Sequence, residues 1–431
     1  QTSNPDRSIV WESSATDLAL GVEYIDQRTD VSRRAVEVLR DDNDVVHVIT
    51  QVAINAFEPG IIYTQYKPTG ERTSVTREMG SGSVRLLDVR LRGEQPWVLY
   101  EQRSDGVNGF GQLMLGNLSD DVEQDRLIHQ YCTGSDCWTQ PNEVWAAMHF
   151  DHPSDEVMIA YHSPVDKKLY FFNRFNADDT GQRTPHLVFD HVDGGRDVQL
   201  FKGNSSGENF IDALFIAHNG PGIADAQLVY MALSTNPNAA AQDHGTPVVL
   251  WDNFQVQQSD AILDVEVDRV SGSRSGEDEV GDAYVAFRGS GNGSGTNSAP
   301  GDQFVALAKV IIPPAAGGGL GSPQNGTANN AAEDNGGDNN PAIAPQDQFK
   351  PGEVYRGDTR YKEPRVVILP NRRPVVLALS QLYTERNYVS FFMPKVYVTE
   401  DSDDGVIVGS VDGTINYLAA TLNGDGRLQA F

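Results

Sequence analysis

The sequence predicts an all-β chain, and two observations carry that reading. A buried-looking strand that ends in a polar turn, followed by a second buried-looking strand, returns five times with drift. The copies are PWVLYEQRS with GQLMLGNL (96–104, 111–118), DEVMIAYHS with KKLYFFNRF (155–163, 167–175), IDALFIAHNG with AQLVYMALS (211–220, 226–234), GDAYVAFRG with DQFVALAKV (281–289, 302–310) and RPVVLALSQ with NYVSFFMPK (373–381, 387–395). Helical periodicity is nearly absent; only DDVEQDRLIHQ (120–130) suggests a short helix. Repeating units of this length made of short strands predict a seven-bladed β-propeller occupying residues 1–431 as a single domain, with six or eight blades as neighbouring solutions.

The blades follow in order. The first covers about 45–80, the second about 83–131, the third about 143–191, the fourth about 196–252, the fifth about 260–312 and the sixth about 362–400. The seventh combines the end of the chain (VIVGSVDG, INYLAATLN, GRLQAF) with early strands (SIVWESS, ALGVEYID, AVEVLRD), so that strands from both termini close the ring and remove exposed edges. Within a blade, VMIAY, VVLAL and LYFF are near-continuous apolar runs, as strands buried on both faces require. TSVTREM and HLVFDHV alternate or carry charge, as outer strands should. Residues 313–348, PPAAGGGLGSPQNGTANNAAEDNGGDNNPAIAPQDQ, hold almost no large apolar side chain and read as a low-complexity insertion between blades five and six. Two further polar loops, 271–282 and 289–302, sit on blade five.

Charge limits the partners. The chain carries 33 basic and 60 acidic residues, a net charge of −27. Such a surface repels nucleic acid and anionic lipid, whose recognition rests on Lys and Arg. No run approaches the roughly 18 apolar residues that a membrane-spanning helix needs. The sequence starts at Gln1 with no leader, which reads as a mature secreted protein. Cys132 and Cys137, in YCTGSDCW, are the two cysteines, and a short-loop disulfide between them agrees with export. A metal pair is the rival reading, but CxxxxC lacks the second pair that zinc usually takes.

Chemistry-bearing residues gather in blade three. Five of the nine histidines lie there: His149, His152, His162, His186 and His191. His149 and His162 are expected at comparable places on neighbouring strands, where they would suit metal binding or acid–base work. Tyr161, Lys167, Lys168, Tyr170 and Arg174 add cations and phenols to the same blade. A cation that neutralises a carboxylate, a base for the C5 proton and an acid for the leaving oxygen are what a uronate lyase needs. The candidate catalytic set is therefore His149, His162, Tyr161 and Arg174. Carboxylate-rich turns suit calcium, a hard cation, with Asp403, Asp404 and Asp425 as candidate ligands. Haem, nucleotide and flavin signatures are absent from the sequence, as are HExxH, the Asp-box and the repeated WD and kelch signatures.

In size, acidity and fold class the chain resembles the propeller-shaped polysaccharide lyases of marine bacteria. The resemblance is architectural and assigns no catalytic residue. The ending VGSVDGTINYLAA likewise resembles the strand–DG–strand hairpin of quinoprotein-like and pilus-tip propellers, which bears on the blade and on no activity. Two functions fit: an extracellular recognition or assembly platform for a protein or glycan partner, in a surface layer or filament, and a lyase or hydrolase acting on uronate-containing polysaccharide at blade three.

Overall fold

A computed structural model of the chain describes residues 36–254 apart from short connecting stretches, and beyond them residues 263–267, 283–290, 303–311, 319–321, 360–369, 374–381, 386–392, 406–412, 420–422 and 428–430. The described residues form six four-stranded antiparallel sheets and one two-stranded sheet, with no α-helix among them. No helix among them is long and apolar enough to cross a membrane.

Each of the six large sheets is a meander of four strands consecutive in sequence. Sheet 1 comprises β1 (Val36–Arg40), β2 (Val46–Asn55), β3 (Glu58–Tyr66) and β4 (Arg72–Glu78). Sheet 2 comprises β5 (Ser83–Arg92), β6 (Gln95–Ser104), β7 (Phe110–Asn117) and β8 (Arg126–Thr133). Sheet 3 comprises β9 (Trp145–Asp151), β10 (Glu156–His162), β11 (Lys168–Asn176) and β12 (His186–Asp190). Sheet 4 comprises β13 (Gly195–Phe201), β14 (Phe210–His218), β15 (Ala226–Ser234) and β16 (Val248–Phe254). Sheet 5 comprises β17 (Leu263–Val267), β18 (Ala283–Ser290), β19 (Gln303–Ile311) and β20 (Gly319–Gly321). Sheet 6 comprises β21 (Arg360–Ile368), β22 (Pro374–Gln381), β23 (Arg386–Phe392) and β24 (Val406–Asp412), and β25 (Ala420–Leu422) pairs with β26 (Leu428–Ala430).

Sheets 2 to 4 follow the expected units closely, and three boundaries differ. AVEVLRD supplies the first strand of sheet 1 rather than part of a seventh unit, because Val36–Arg40 pairs with Val46–Thr50. VIVGSVD closes sheet 6, where Val406–Asp412 pairs with β23. The segment 313–348 is not wholly an insertion: Gly319–Gly321 pairs with Lys309–Ile311 as the outer strand of sheet 5. Of the short helix suggested over 120–130, residues 126–130 belong instead to β8, which pairs with β7 through Leu115, and residues 120–123 lie outside the described residues. The early strands SIVWESS and ALGVEYID, most of the loops 271–282 and 289–302 and the remainder of 313–348 lie outside the described residues.

The continuous apolar runs are explained by two-sided burial. Along β10, Val157, Ile159 and Tyr161 pack toward sheet 2, whereas Met158 and Ala160 pack toward sheet 4. Along β14, Ala213, Phe215 and Ala217 face sheet 3, and Leu214 and Ile216 face sheet 5. Successive side chains of a strand point to opposite faces, so a sheet covered on both sides needs apolar residues at every position.

Polar clasps link consecutive sheets. Asp88 on β5 accepts the amide of Met148 on β9 at 2.8 Å, and Asp264 on β17 accepts that of Val366 on β21 at 2.8 Å. Arg92 and Arg126 lie over the ring of Trp97, 5.5 and 5.3 Å from its centroid. Both also pair with Asp178, beyond β11, at 2.8 and 3.2 Å. The first strands touch in series: β9 lies against β5 and β13, β17 against β13 and β21, and β25 against both β21 and β1. Arg40 of β1 donates to the carbonyl of Leu422 at 3.1 Å. Cys132 and Cys137 form the disulfide across a 3-10 turn, and the guanidinium of Arg103 donates to the Cys137 carbonyl.

Candidate functional site

The four residues expected to act together do not form one group. In the β9–β10 ladder His149 stands opposite Met158 and His162 opposite Trp145, four positions apart, or about 13 Å along the strand. Tyr161 and His162 are sequence neighbours and therefore face opposite ways. Tyr161 is buried toward sheet 2, stacked with Tyr170 and Phe172 at 5.4 and 5.6 Å. Burial first, then Tyr170 and Asp166, pushes its phenol above the ordinary value, so it is a core residue and not a ready acid or base. Lys167 and Lys168 form the β10–β11 turn, where the Lys167 amide donates to the Ser163 carbonyl at 3.1 Å. His152, Asp403, Asp404 and Asp425 lie outside the described residues. Among the described residues no group of three or more His, Cys, Asp or Glu side chains is placed to hold a metal.

His162 faces sheet 4, its ring 4.7 Å from that of His191 and 5.8 Å from that of Phe215. Gly195, at the start of β13, lies against both imidazoles; a Cβ there would overlap the Cε1 atoms of His162 and His191. Neither nitrogen of His191 has a hydrogen-bond partner among the described residues. Burial, with a smaller contribution from His218, lowers its pKa from 6.5 to about 3. A histidine held neutral in the fold but free to protonate when unfolded stabilises fully above pH 6.5, and that contribution is lost as the pH falls from there toward 3. Unfolding in urea across pH 7 to 4 is expected to show this loss, and His191→Phe to reduce it; identical pH profiles for the two proteins would refute the assignment.

A second buried chain went unforeseen in the sequence. Asp41 accepts from His47 Nε2 at 3.1 Å, and His47 Nδ1 meets the Tyr63 hydroxyl at 2.8 Å. Asp41 also accepts the amides of Asn43 and Val45, each at 2.9 Å, which makes the chain an anchor for the β1–β2 turn. Burial depresses the His47 pKa more than Asp41 raises it, and it lifts the Tyr63 phenol to about 12.

Arg174 belongs to a cleft of about 530 Å³ between sheets 3 and 4, lined by Arg174, Asn209, Phe210, Ser234, Thr235, Asn236 and Asp243. Each wall has a local cause. Arg174 falls at the irregularity in the β10–β11 ladder between Val157 and Ile159. It pairs with Asp151, at the end of β9, at 3.2 Å. Ser154 Oγ donates to the same carboxylate at 2.8 Å. On the facing side the Thr235 amide donates to the Asn209 carbonyl at 2.9 Å, and Ala239 closes a turn onto Asn236 at 2.9 Å. The Asn173 side chain crosses between the sheets to the Asn236 carbonyl. The Ser234 amide donates to His244 Nδ1 at 3.0 Å, behind the lining. The site thus presents a guanidinium with its carboxylate, two amides, two hydroxyls, a second carboxylate and one aromatic ring. Such a set offers donors and acceptors of both kinds around an apolar face. Apart from Arg174, the sequence signal that could have marked it is the turn-rich stretch STNPNAAAQDHG (234–245), which joins two apolar strands.

The chain is therefore an all-β protein of consecutive four-stranded antiparallel sheets, with a polar cleft between the third and the fourth. No family model and no curated protein matches it. Among solved structures it is similar to a protein of unknown function from Dyadobacter fermentans at TM-score 0.40 and 9 % identity, covering 83 % of this chain and 93 % of that one. It is also similar to an exo-β-1,3-galactanase from Clostridium thermocellum at TM-score 0.38 and 9 % identity, over 94 % of this chain and 90 % of that one. A third likeness is to an endo-arabinase from Bacteroides thetaiotaomicron at TM-score 0.32 and 7 % identity, over 67 % and 98 % of the two chains. At these scores none of the three assigns a family or an activity.

Proposed function

We propose that the chain is a seven-bladed propeller that binds an extracellular polysaccharide in the cleft between sheets 3 and 4. The ring reading is supported by the serial contacts of the first strands and by the contact of β25 with both β21 and β1. The Cys132–Cys137 disulfide supports export.

The observation that carries the carbohydrate reading is the lining of the cleft. Sugar hydroxyls both donate and accept, and Arg174, Asp243, Asn209, Asn236, Ser234 and Thr235 supply partners of both kinds beside the ring of Phe210. A bare assembly platform needs no such polar cleft. Arg174 is already neutralised by Asp151, and Asp243 adds a further negative charge, so the cleft suits neutral sugar hydroxyls better than the carboxylate of a uronate. Hydrolysis is a second reading, favoured by Asp243 in the lining and Asp151 one guanidinium away, since glycoside cleavage uses two carboxyl groups.

The test is titration calorimetry with neutral oligosaccharides (arabino-, galacto- and fructo-oligosaccharides) beside alginate oligosaccharides. Neutral saccharide binding is expected, weakened about tenfold or more in Arg174→Gln, because a hydrogen bond to a charged group contributes about 1.5–3 kcal/mol. Absence of saccharide binding, or binding indifferent to Arg174→Gln, would overturn the site. Release of reducing ends that stops in Asp243→Asn would convert binding into hydrolysis.

A further inference from the structure

We propose that His244 is a proton-sensitive latch on the wall of this cleft, a positioning residue that holds the Ser234–Asn236 rim in place only while its imidazole is neutral. The inference rests on reading the cleft as the ligand site. His244 is buried, with 9 % of its surface exposed. Its Nδ1 accepts the Ser234 amide at 3.0 Å, so in this geometry Nδ1 carries no proton. Its Nε2 is buried with no hydrogen-bond partner among the described residues. The next residue, Gly245, donates its amide to the Ala232 carbonyl at 2.7 Å, so the stretch folds back on β15 through two adjoining contacts. A second proton on the ring would turn Nδ1 from acceptor into donor and set N–H against N–H at Ser234. It would also leave a buried cation with two unsatisfied donors. Relief requires the imidazole to leave, and Ser234, Thr235 and Asn236 line the cleft directly in front of it.

The groups around the ring agree with that direction. Phe171 of β11 meets it edge-on at 6.0 Å. His186 of β12 disfavours a second proton and Asp243 favours one, but burial is the largest influence and lowers the pKa below 6.5. The neutral, latched form therefore holds at neutral pH, and the latch weakens as the pH falls below 6.5. A polysaccharide held at neutral pH would be released in an acidified medium.

Amide hydrogen exchange followed by mass spectrometry tests this on the full chain without ligand, with rates corrected for the intrinsic pH dependence. Between pH 7 and 4.5, protection of peptides covering Leu233–Gly245 is expected to fall, approaching about tenfold per pH unit once the ring titrates. Amides within β14 keep their protection over the same range. In His244→Asn, whose side-chain oxygen reaches the Nδ1 position and does not titrate, rim protection is expected to stay level. Three outcomes each overturn the proposal: rim protection that persists at pH 4.5, loss in step with β14, or a His244→Asn profile parallel to the wild type. If His244→Asn does not fold, the rim-against-β14 comparison in the wild type decides alone. Failure of every saccharide to bind would strike the cleft's ligand and leave the exchange result standing.

Discussion

Arg77→Met is expected to lower folding stability by about 3–5 kcal/mol, because it abandons a buried carboxylate. Arg77 of β4 pairs with Asp125, which precedes β8, and the two side chains are 7 % and 2 % exposed. The same guanidinium donates to the Asn117 carbonyl at 2.8 Å, and the Tyr100 hydroxyl donates to Asp125 at 2.7 Å. Gly116 leaves room for that carboxylate, since a Cβ there would overlap it. Sheets 1 and 2 are thus joined by a charge pair within hydrogen-bonded surroundings, and removing one partner costs far more than the pair contributes. Arg77→Met/Asp125→Leu is expected to recover part of the loss, short of the Tyr100 acceptor. Urea unfolding of the three proteins measures it; a double variant no more stable than the single one would show that the stranded charge is not the cause.

Phe215→Ala is expected to cost a similar amount, about 3–5 kcal/mol, through the cavity it opens between sheets 3 and 4. Phe215 is fully buried. It meets Phe189, His191 and His162 at ring distances of 5.1, 5.7 and 5.8 Å. Water admitted beside His191 would reduce the desolvation that depresses its pKa, so the acid-sensitive window should narrow toward 6.5 from below. The paired result, lower stability at neutral pH and a weaker pH dependence, separates this site from a simple packing loss. A uniform destabilisation with the wild-type pH profile would mean that Phe215 does not control His191.

The central sheets were legible because burial on both faces leaves an unbroken apolar run that needs no knowledge of the partner. Strand pairing was less legible. Val36–Arg40 and Val406–Asp412 are plain strands, yet nothing within either segment says which sheet it joins. Gly319–Gly321 was hidden because a strand of Gly-Leu-Gly offers almost no side chain to carry a pattern. The site was legible only at Arg174. The alternation that revealed the strands also separates Tyr161 from His162, and the register of β9 against β10 separates His149 from His162. The cleft depends on Asn209, Ser234, Asn236 and Asp243, turn-forming types whose chemistry emerges only when sheets 3 and 4 lie side by side.

The hydrogen bond from Arg40 to Leu422 spans 382 residues. During synthesis sheet 1 lacks this partner until residue 422 has left the ribosome. Loop-closure entropy makes such distant pairing slow. Nascent chains stalled before residue 420 should therefore be the ones that chaperones hold and proteases find.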